Sequence, residues 1–309
     1  MDSGNIGFVL LCAAFVFVMT PGLAMFYGGL VRKKNVVNTM MTSIFIIGVG
    51  IVMWVLFGYS LSFAPSGNAF IGDFRWLGLE GVSLTEGYTD DASIPNMVFS
   101  AFQMMFAVIT PALITGAVAG RMKFKSIFVF TIFWSLIVYY PLAHMVWGQG
   151  GLLGADGIGA LDFAGGDVVH ISSGVSALVL CILLGKRHDY EHSIYRIHNI
   201  PTVVLGASLL MFGWFGFNAG SALAADGLAA HAFMTTGVSA AAAMLSWMLC
   251  DIIKNKKPTL IGASTGMVAG LVGITPGAGF VPMWAAVIIG LTTSSLLYYD
   301  FIRQEKIRL

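Results

Sequence analysis

Charged side chains are scarce in this sequence. Asp, Glu, Lys and Arg together make up 10% of its 309 residues, whereas a soluble domain carries roughly 25%. Hydrophobic residues make up 57% of the chain, and the mean hydropathy is +0.85. A chain of this length could bury a core, but it has too little polar material to cover that core in water. The composition therefore predicts a membrane protein.

Sequence patterns typical of disulfides, metal sites and hydrolases are also missing. The three cysteines, Cys12, Cys181 and Cys250, stand alone inside apolar runs without CxxC spacing. We therefore predict neither a disulfide nor a metal site. The chain contains no HExxH motif and no SxxK motif. These absences argue against an enzyme, and no cofactor is expected.

Nine apolar runs are long enough to cross a bilayer, because a spanning helix needs about 20 mostly apolar residues. The sequence predicts an all-α, polytopic membrane protein with a single transmembrane domain over residues 1–309. The longest predicted connection covers residues 65–93. The predicted spans are 6–31, 38–64, 94–119, 126–148, 162–184, 200–222, 230–253, 259–275 and 283–301.

The basic residues orient these spans. Of the 16 Lys and Arg, 15 follow odd-numbered spans, and Arg75 is the exception. Cytoplasmic loops carry the Lys and Arg excess, so we expect the N-terminus outside. The opposite loops hold acidic residues that would attract cations, although such charges also serve ordinary loop solubility. They are Asp73, Glu80, Glu86, Asp90, Asp91, Asp156 and Asp226.

Residues 161–174 (LDFAGGDVVHISSG) place ionisable side chains in an apolar span. Asp162 is expected at the outer edge of that span, and His170, eight residues on, about 12 Å deeper. Asp167 and His170 are three residues apart and would share a helix face. A neutral imidazole can both donate and accept a hydrogen bond, which suits a small, proton-exchanging solute. A histidine hydrogen-bonded between helices fits the pattern equally well.

Aromatic residues supply a second candidate set. An aromatic cluster that faces an outer vestibule can bind a cation through its ring faces, yet aromatic residues also mark membrane interfaces. The set comprises Phe102 and Phe106 in the third predicted span, Trp147 at the end of the fourth, and residues 214–221 (WFGFNAGS) in the sixth.

A stripe of glycines marks the eighth predicted span. Gly262, Gly266 and Gly270 repeat every four residues. Small residues at this spacing let two helix backbones approach closely. We therefore expect this stripe to pack against a neighbouring helix.

Five ordered segments together carry a family resemblance. They are residues 20–35 (TPGLAMFYGGLVRKKN), 102–111 (FQMMFAVITP), 162–166 (DFAGG) with 168–171 (VVHI), 213–221 (GWFGFNAGS) and 268–276 (VAGLVGITP). On these segments, which span nearly the whole chain, the sequence resembles the ammonium transporters of the Amt/Mep/Rh superfamily, on the Amt branch.

The resemblance implies roles for particular residues. Phe106, Trp147 and Ser221 match an outer site that recruits ammonium or methylammonium. Phe106 and Phe217 would stack as a gate below that site, with Phe102 and Trp214 beside it. Asp162 matches an aspartate that organises the outer part of the path, and His170 matches the first of two pore histidines.

The resemblance also implies a mechanism and partners. Ammonium would be deprotonated after recruitment, and ammonia and a proton would pass separately along the pore. The protein would be a homotrimer in the cell membrane, with one path per subunit. A cytoplasmic PII-type regulatory protein is a possible partner, and no nucleic acid is expected.

Two departures from the family pattern stand out. Family members have eleven spans and carry the second pore histidine in the tenth, whereas this sequence reaches Leu309 just past its ninth predicted span. The sequence therefore reads as truncated before the last two spans. Asp167 stands where the family usually has a small hydroxyl residue, and it is a candidate extra pore acid.

Two other functions stay open at this point. The first is an ammonium sensor that binds the cation at Phe106, Trp147 and Ser221 without conducting it. The second is an inactive fragment of a longer transporter.

The intact mass of the protein isolated from its native membrane tests the truncation. We expect a mass above the 32.9 kDa of this sequence by two helices and a tail, on the order of 10 kDa at about 20 residues per helix. A measured mass equal to that of the sequence would contradict this expectation and favour the sensor or inactive alternatives.

Overall fold

The computed structural model describes residues 1–65, 68–155, 157–187 and 197–307, and within these ranges every regular element is a helix. This confirms the predicted all-α class. The α-helices of the described chain are α1 (Ser3–Leu30), α2 (Val36–Met53), α3 (Tyr59–Phe63), α4 (Asn96–Val118), α5 (Phe124–Trp134), α6 (Tyr140–Trp147), α7 (Ser172–Leu184), α8 (Ile200–Gly220), α9 (Gly227–Asn255), α10 (Leu260–Ile274) and α11 (Met283–Ile307).

Three π-helical segments join some of these helices into longer spans. Trp54–Gly58 connects α2 to α3, Ser135–Tyr139 connects α5 to α6, and Gly166–Ile171 leads into α7. π-Helical segments are rare in proteins, and those that occur often lie at functional sites. An apolar pattern does not predict them, because it does not distinguish i→i+5 from i→i+4 hydrogen bonding.

The predicted spans correspond to helices of the structure. Eight helices of the described chain are long and apolar enough to cross a membrane, and they match the first eight predicted spans to within a few residues. The ninth predicted span, 283–301, lies in α11, which packs against α9 and α10. The chain is a multi-pass membrane protein. The exact number of spans and the orientation of the N-terminus stay predictions.

Several helices begin at a polar side chain that accepts a backbone hydrogen bond. Asp2 caps α1, Asn199 caps α8, Asp226 caps α9 and Thr259 caps α10, with bond lengths of 2.8–3.0 Å. Capping supplies an acceptor for an N–H group that has no partner within the helix. The caps therefore explain why long apolar runs start as helices at these residues.

The two ends of the helical bundle differ in charge. The end where α1 and α4 begin is here called the acidic end, and the end where they finish is called the basic end. The acidic end carries Asp73, Asp90, Asp91 and Asp226, and the basic end carries Arg32, Lys33, Lys34, Arg121 and Lys123. Asp156, Arg196 and Arg308 from the sequence-based charge pattern lie outside the described residues.

The long connection before α4 folds back over the acidic end. Trp76 stacks on Tyr59 with ring centroids 5.3 Å apart, and Tyr88 stacks on Phe99 at 4.7 Å. Burial raises the pKa of Tyr88 to about 12, so its phenol is uncharged at neutral pH. These ring contacts hold the connection against the ends of α3 and α4.

The basic residue of this connection is paired. The Arg75 guanidinium lies 2.6 Å from the carboxylate of Asp73. Its side-chain hydrogen bond lowers the pKa of Asp73, while Asp73 raises the pKa of Arg75. The two charges offset each other in the net charge of the acidic end.

Glycines set the distance between α1 and α8. A Cβ atom added at Gly22 would lie 2.9 Å from the Leu209 side chain, and one at Gly206 would overlap the backbone of Phe26. A Cβ atom at Gly216 would come within 2.7 Å of Phe15. The two backbones are therefore in close contact. The sequence analysis singled out no stripe here, because these glycines lack a single strict four-residue spacing.

The predicted glycine stripe of α10 packs against α9, as expected. A Cβ atom at Gly266 would lie 2.6 Å from Trp247, and one at Gly270 would lie 2.5 Å from both the Ala243 side chain and the carbonyl oxygen of Ser239. Distances below 3.0 Å force a shift of the neighbouring atoms. The stripe is thus a packing surface.

A pair of glycine substitutions tests this packing. Gly270→Ala should destabilise the protein by about 1–3 kcal/mol, because the methyl group overpacks the α9–α10 contact. The matched control is Gly48→Ala in α2, where an added Cβ meets nothing within 4 Å and stability should be unchanged or higher by about 0.4–1 kcal/mol. Thermal unfolding in detergent measures both changes. Equal unfolding temperatures for the two variants would contradict the assigned role of the stripe.

Candidate functional site

A cavity of about 460 Å³ lies at the acidic end of the bundle. It is here called the vestibule. Its rim is formed by the connections before α4 and after α8, and its deeper wall by side chains from α4 and α6. The lining includes Tyr88, Asp91, Ser93, Phe102, Gln103, Phe106, Trp147, Asp162 and Ser221. All three residues predicted to recruit a cation therefore line the vestibule.

A second cavity of about 150 Å³ lies among α1, α4, α8, α10 and the segment that leads into α7. It is here called the core cavity. Most of its lining is aliphatic or aromatic, with Leu23, Phe26, Ile109, Leu210 and Val268 as examples. Its polar side chains are Tyr27, His170 and Trp214.

Two aromatic rings in contact, with their planes tilted by 34°, lie between the cavities. The ring centroids of Phe106 and Phe217 are 4.3 Å apart. Phe106 lines the vestibule and Phe217 lines the core cavity. Phe102 lies beside Phe106 at 4.9 Å, and Trp214 lies beside Phe217 at 5.5 Å. The four aromatic residues named for the gate region are thus brought together at one point.

His170 faces the core cavity behind this ring pair. Its ring stacks on Trp214 and Phe217 with centroids 5.3 and 5.9 Å away. Its Nε2 atom is buried and has no hydrogen-bond partner within the described chain. The other polar atoms of the lining are occupied, since the Tyr27 hydroxyl donates to the carbonyl oxygen of Leu113 at 2.9 Å and the Trp214 indole to Thr275 at 2.9 Å. His170 Nε2 is therefore available to a small polar ligand.

The carboxylate of Asp162 caps the segment that carries His170. It accepts four backbone hydrogen bonds of 2.6–3.1 Å, from Gly165 and Gly166 on one oxygen and from Asp167 and Val168 on the other. These are N–H groups that a helix start leaves without partners. A carboxylate also interacts favourably with the positive end of a helix dipole.

The structure corrects the predicted position of Asp162. The span begins at Gly166, so Asp162 precedes the helix instead of lying in its first turn. The depth of 12 Å estimated for His170 assumed a continuous α-helix from Asp162 and does not apply. The run Ala164–Gly166 turns the chain before the helix, with Gly165 at a φ of +119°. Sequence hydropathy could not locate this turn within an apolar run.

Asp167 is half-buried and lines neither cavity. The sequence analysis placed it on the same helix face as His170, on the assumption of α-helical geometry. That assumption is wrong, because the segment is π-helical and the His170 N–H bonds to the carbonyl oxygen of Gly165. The role of Asp167 as an extra pore acid stays a prediction, and its side chain contacts neither cavity.

Ser221 and Trp147 are held by hydrogen bonds to the backbone. The Ser221 hydroxyl donates to the carbonyl oxygen of Phe217 at 2.9 Å. The Trp147 indole donates to the carbonyl oxygen of Asp162 at 3.0 Å, and its ring meets Phe106 edge-on at 6.0 Å. Because the serine hydroxyl donates its hydrogen to Phe217, its lone pairs are left to accept from a cation.

The other described histidine side chains lie away from the core cavity. Both ring nitrogens of the buried His144 contact backbone oxygens, at Ser62 and Asn68. The His231 ring contacts the carbonyl oxygen of Val281. His188 and His192 lie outside the described residues. In the described ranges no cluster of three or more potential ligands could hold a metal ion.

Two residues that the sequence analysis did not single out shape the vestibule. Gln103 lines its wall from α4. Asn5 joins two parts of the rim, because its amide donates to Ser93 at 2.9 Å and accepts from the N–H of Ala225 at 2.9 Å. A polar residue within an apolar span is a signal for a functional role, and this signal could have identified Gln103.

The vestibule, the core cavity, the aromatic partition between them and the unpaired Nε2 atom of His170 give this apolar helical bundle a candidate site for a small polar ligand inside a polytopic membrane protein. The chain belongs to the Ammonium Transporter Family, whose sequence model matches residues 7–309. Members of this family are transporters and not enzymes, in agreement with the sequence-based prediction.

Comparison with individual proteins agrees with this assignment. An ammonium transporter of Bacillus subtilis is 50% identical over 306 residues, which cover 99% of this chain and 74% of that protein. The crystal structure of Saccharomyces cerevisiae Mep2 has a TM-score of 0.90 at 37% identity, over 100% of this chain and 69% of its own. A solved structure named "Sensor Amt Protein" has a TM-score of 0.87 at 29% identity, over 98% of this chain and 76% of its own.

A substitution at Asp162 tests its capping role. Asp162→Ala should destabilise the protein by more than about 3 kcal/mol, because four N–H groups, three of them buried, lose a charged acceptor at once. The matched control is Asp226→Ala, which removes a single cap bond from α9 and should cost about 1 kcal/mol. Thermal unfolding in detergent measures both. If Asp162→Ala is no less stable than Asp226→Ala, the capping interpretation is wrong.

Proposed function

We propose that this protein transports ammonium by binding the cation in the vestibule, where it gives up a proton to solvent water, and by passing the resulting ammonia through the core cavity while that proton crosses separately. The observation that carries the proposal is the unpaired Nε2 atom of His170, which lies in an apolar cavity directly behind the Phe106–Phe217 ring pair.

Recruitment in the vestibule relies on weak attraction of a cation. The ring faces of Phe106 and Trp147 supply cation–π attraction of about 0.5–2 kcal/mol. The Ser221 oxygen supplies a hydrogen-bond acceptor. The acid-rich end of the bundle raises the local cation concentration. We extend this recognition to methylammonium, which carries the same charge and three N–H groups.

Passage beyond the ring pair favours a neutral species. An ammonium ion in a cavity lined by aliphatic and aromatic groups would lose its hydration without compensation, at a large cost in free energy. Ammonia is uncharged and needs far less compensation. The imidazole of His170 can offer it one hydrogen bond, as donor or as acceptor. One water molecule occupies about 30 Å³ in the liquid. The core cavity has a volume of about 150 Å³ and therefore has room for a few molecules of that size.

The assembly and partners belong to the same proposal. We infer a homotrimer with one path per subunit, a single transmembrane domain over residues 1–309, and a cell-membrane location with the basic end in the cytoplasm. A cytoplasmic PII-type protein is the proposed regulatory partner. The relatives are longer than this chain, and family resemblance implies that the second pore histidine comes from their additional spans.

A non-conducting ammonium sensor is the second candidate. Two observations favour it, namely the similarity to a structure named "Sensor Amt Protein" and the contact between Phe106 and Phe217, which separates the two cavities. A sensor would bind ammonium in the vestibule and give no flux. The transport assay therefore distinguishes the two functions.

Flux in liposomes tests the proposal. The protein isolated from its native membrane should take up ammonium and methylammonium, and His170→Ala should reduce the rate by at least tenfold because the path loses its polar group. Phe217→Ala should also impair transport, because the Phe217 ring packs against both Phe106 and His170 and its loss leaves both rings less firmly held in place.

The control for this experiment is His198→Ala, since the His198 side chain is exposed at the basic end and its loss should leave uptake unchanged. Wild-type uptake by His170→Ala would contradict the pore assignment. Saturable ammonium binding without any flux would favour the sensor.

A further inference from the structure

The side chain of Gln103 has an unusual environment. Gln103 lies in α4, directly after Phe102 and three residues before Phe106, and it lines the vestibule. Its relative exposure is 8%. The amide oxygen is buried and has no hydrogen-bond partner within the described chain.

An unpaired buried amide oxygen is costly, because folding removes the water that it would otherwise bind. Native structures pair nearly all such groups, and an exception usually has a specific cause. Gln103 lies in the wall of a cavity, so its amide can meet a molecule that enters that cavity. A half-turn of the amide exchanges its oxygen and nitrogen, and either end can face the ligand.

The other polar groups deep in the vestibule are already engaged. The carboxylate of Asp162 accepts four backbone N–H groups. The hydroxyl of Ser221 donates to Phe217 and keeps only its acceptor capacity. The Trp147 indole donates to a backbone oxygen. Among the described side chains of the deeper wall, Gln103 and Ser221 therefore keep a neutral acceptor for a cation near the Phe106 ring, while Asp91 lies at the rim.

We propose that Gln103 accepts a hydrogen bond from the cation in the vestibule and thereby sets the preference for ammonium over alkylated ammonium ions. This inference rests on the proposed function. Ammonium has four N–H groups and gains from every acceptor that the site offers. Methylammonium has three and can turn its methyl group toward the aromatic rings. Each additional acceptor thus favours the unsubstituted cation.

The substitution Gln103→Met keeps the side-chain length and removes the acceptor. We expect the half-saturation concentration for ammonium uptake to rise about tenfold, which corresponds to about 1.4 kcal/mol. The rise for methylammonium should be about threefold or less, because its methyl group can contact the methionine. The ratio of the two constants should therefore shift toward methylammonium, while the maximal rate is largely retained.

Two further variants control the experiment. Gln103→Glu keeps an acceptor oxygen at the same chain length, so its half-saturation concentration for ammonium should be equal to or lower than that of the wild type. Gln149→Met makes the same exchange at an exposed glutamine whose amide donates to the backbone of Tyr88. It should leave the ratio of the two constants unchanged.

A purely structural glutamine cannot alter the ratio of the two half-saturation concentrations. Equal rises of these concentrations for both cations in Gln103→Met, or no rise for either cation, would therefore overturn the proposal. If Gln103→Met does not fold, Gln103→Glu decides, and a weaker affinity for ammonium in folded protein contradicts the inference. If the wild type carries no flux, the proposed function fails independently. Titration of tryptophan fluorescence with ammonium and methylammonium chloride then measures the same ratio as a ratio of binding constants.

Discussion

Both parts of the proposed path depend on the hydrogen bonds that Asp162 accepts. Its two carboxylate oxygens accept the four N–H groups that open the π-helical segment Gly166–Ile171, and that segment carries His170 into the core cavity. The backbone carbonyl oxygen of Asp162 also accepts a hydrogen bond from the indole of Trp147, which lines the vestibule. One residue outside any helix therefore fixes the histidine on one side of the ring pair and the tryptophan on the other. Because Asp162 bonds to both parts, the position of His170 is coupled to that of Trp147.

The sequence allowed the helices and most of the site to be predicted, and the limits of that prediction have physical causes. Long apolar runs with few charges identify membrane spans, since the bilayer imposes both length and composition. The aromatic and histidine residues were recognisable as a set through the family resemblance. The π-helical segment was not, because it changes only which backbone groups are bonded. The turn around Gly165 places Asp162 before the helix, and the π-helical geometry invalidated the assumption of α-helical spacing between Asp167 and His170. Gln103 was missed because its significance depends on which neighbouring polar groups are already paired.

The packing around the ring pair limits how a closed partition can open. Phe217 lies on α8, and the glycines of α8 bring its backbone into contact with α1. Near the same point, a Cβ atom at Gly220 would lie 2.7 Å from the Phe102 ring, so α4 is also close. Moving these helices apart would disrupt a large, closely packed contact. In the proposed transport cycle, the passage of ammonia therefore requires rotation of the Phe106 and Phe217 side chains.

The charges of the described residues are arranged so that a cation in the deeper vestibule meets no free carboxylate. Asp162 is saturated by backbone donors, and Asp167 lines neither cavity. Asp73 is paired with Arg75. Conduction requires binding that is strong enough for entry and weak enough for release. Neutral acceptors and ring faces meet this requirement, whereas a direct ion pair in an apolar cavity would hold the cation and oppose its deprotonation. In the proposed transport cycle, such a site suits transient occupation by a cation that gives up its proton before ammonia goes further.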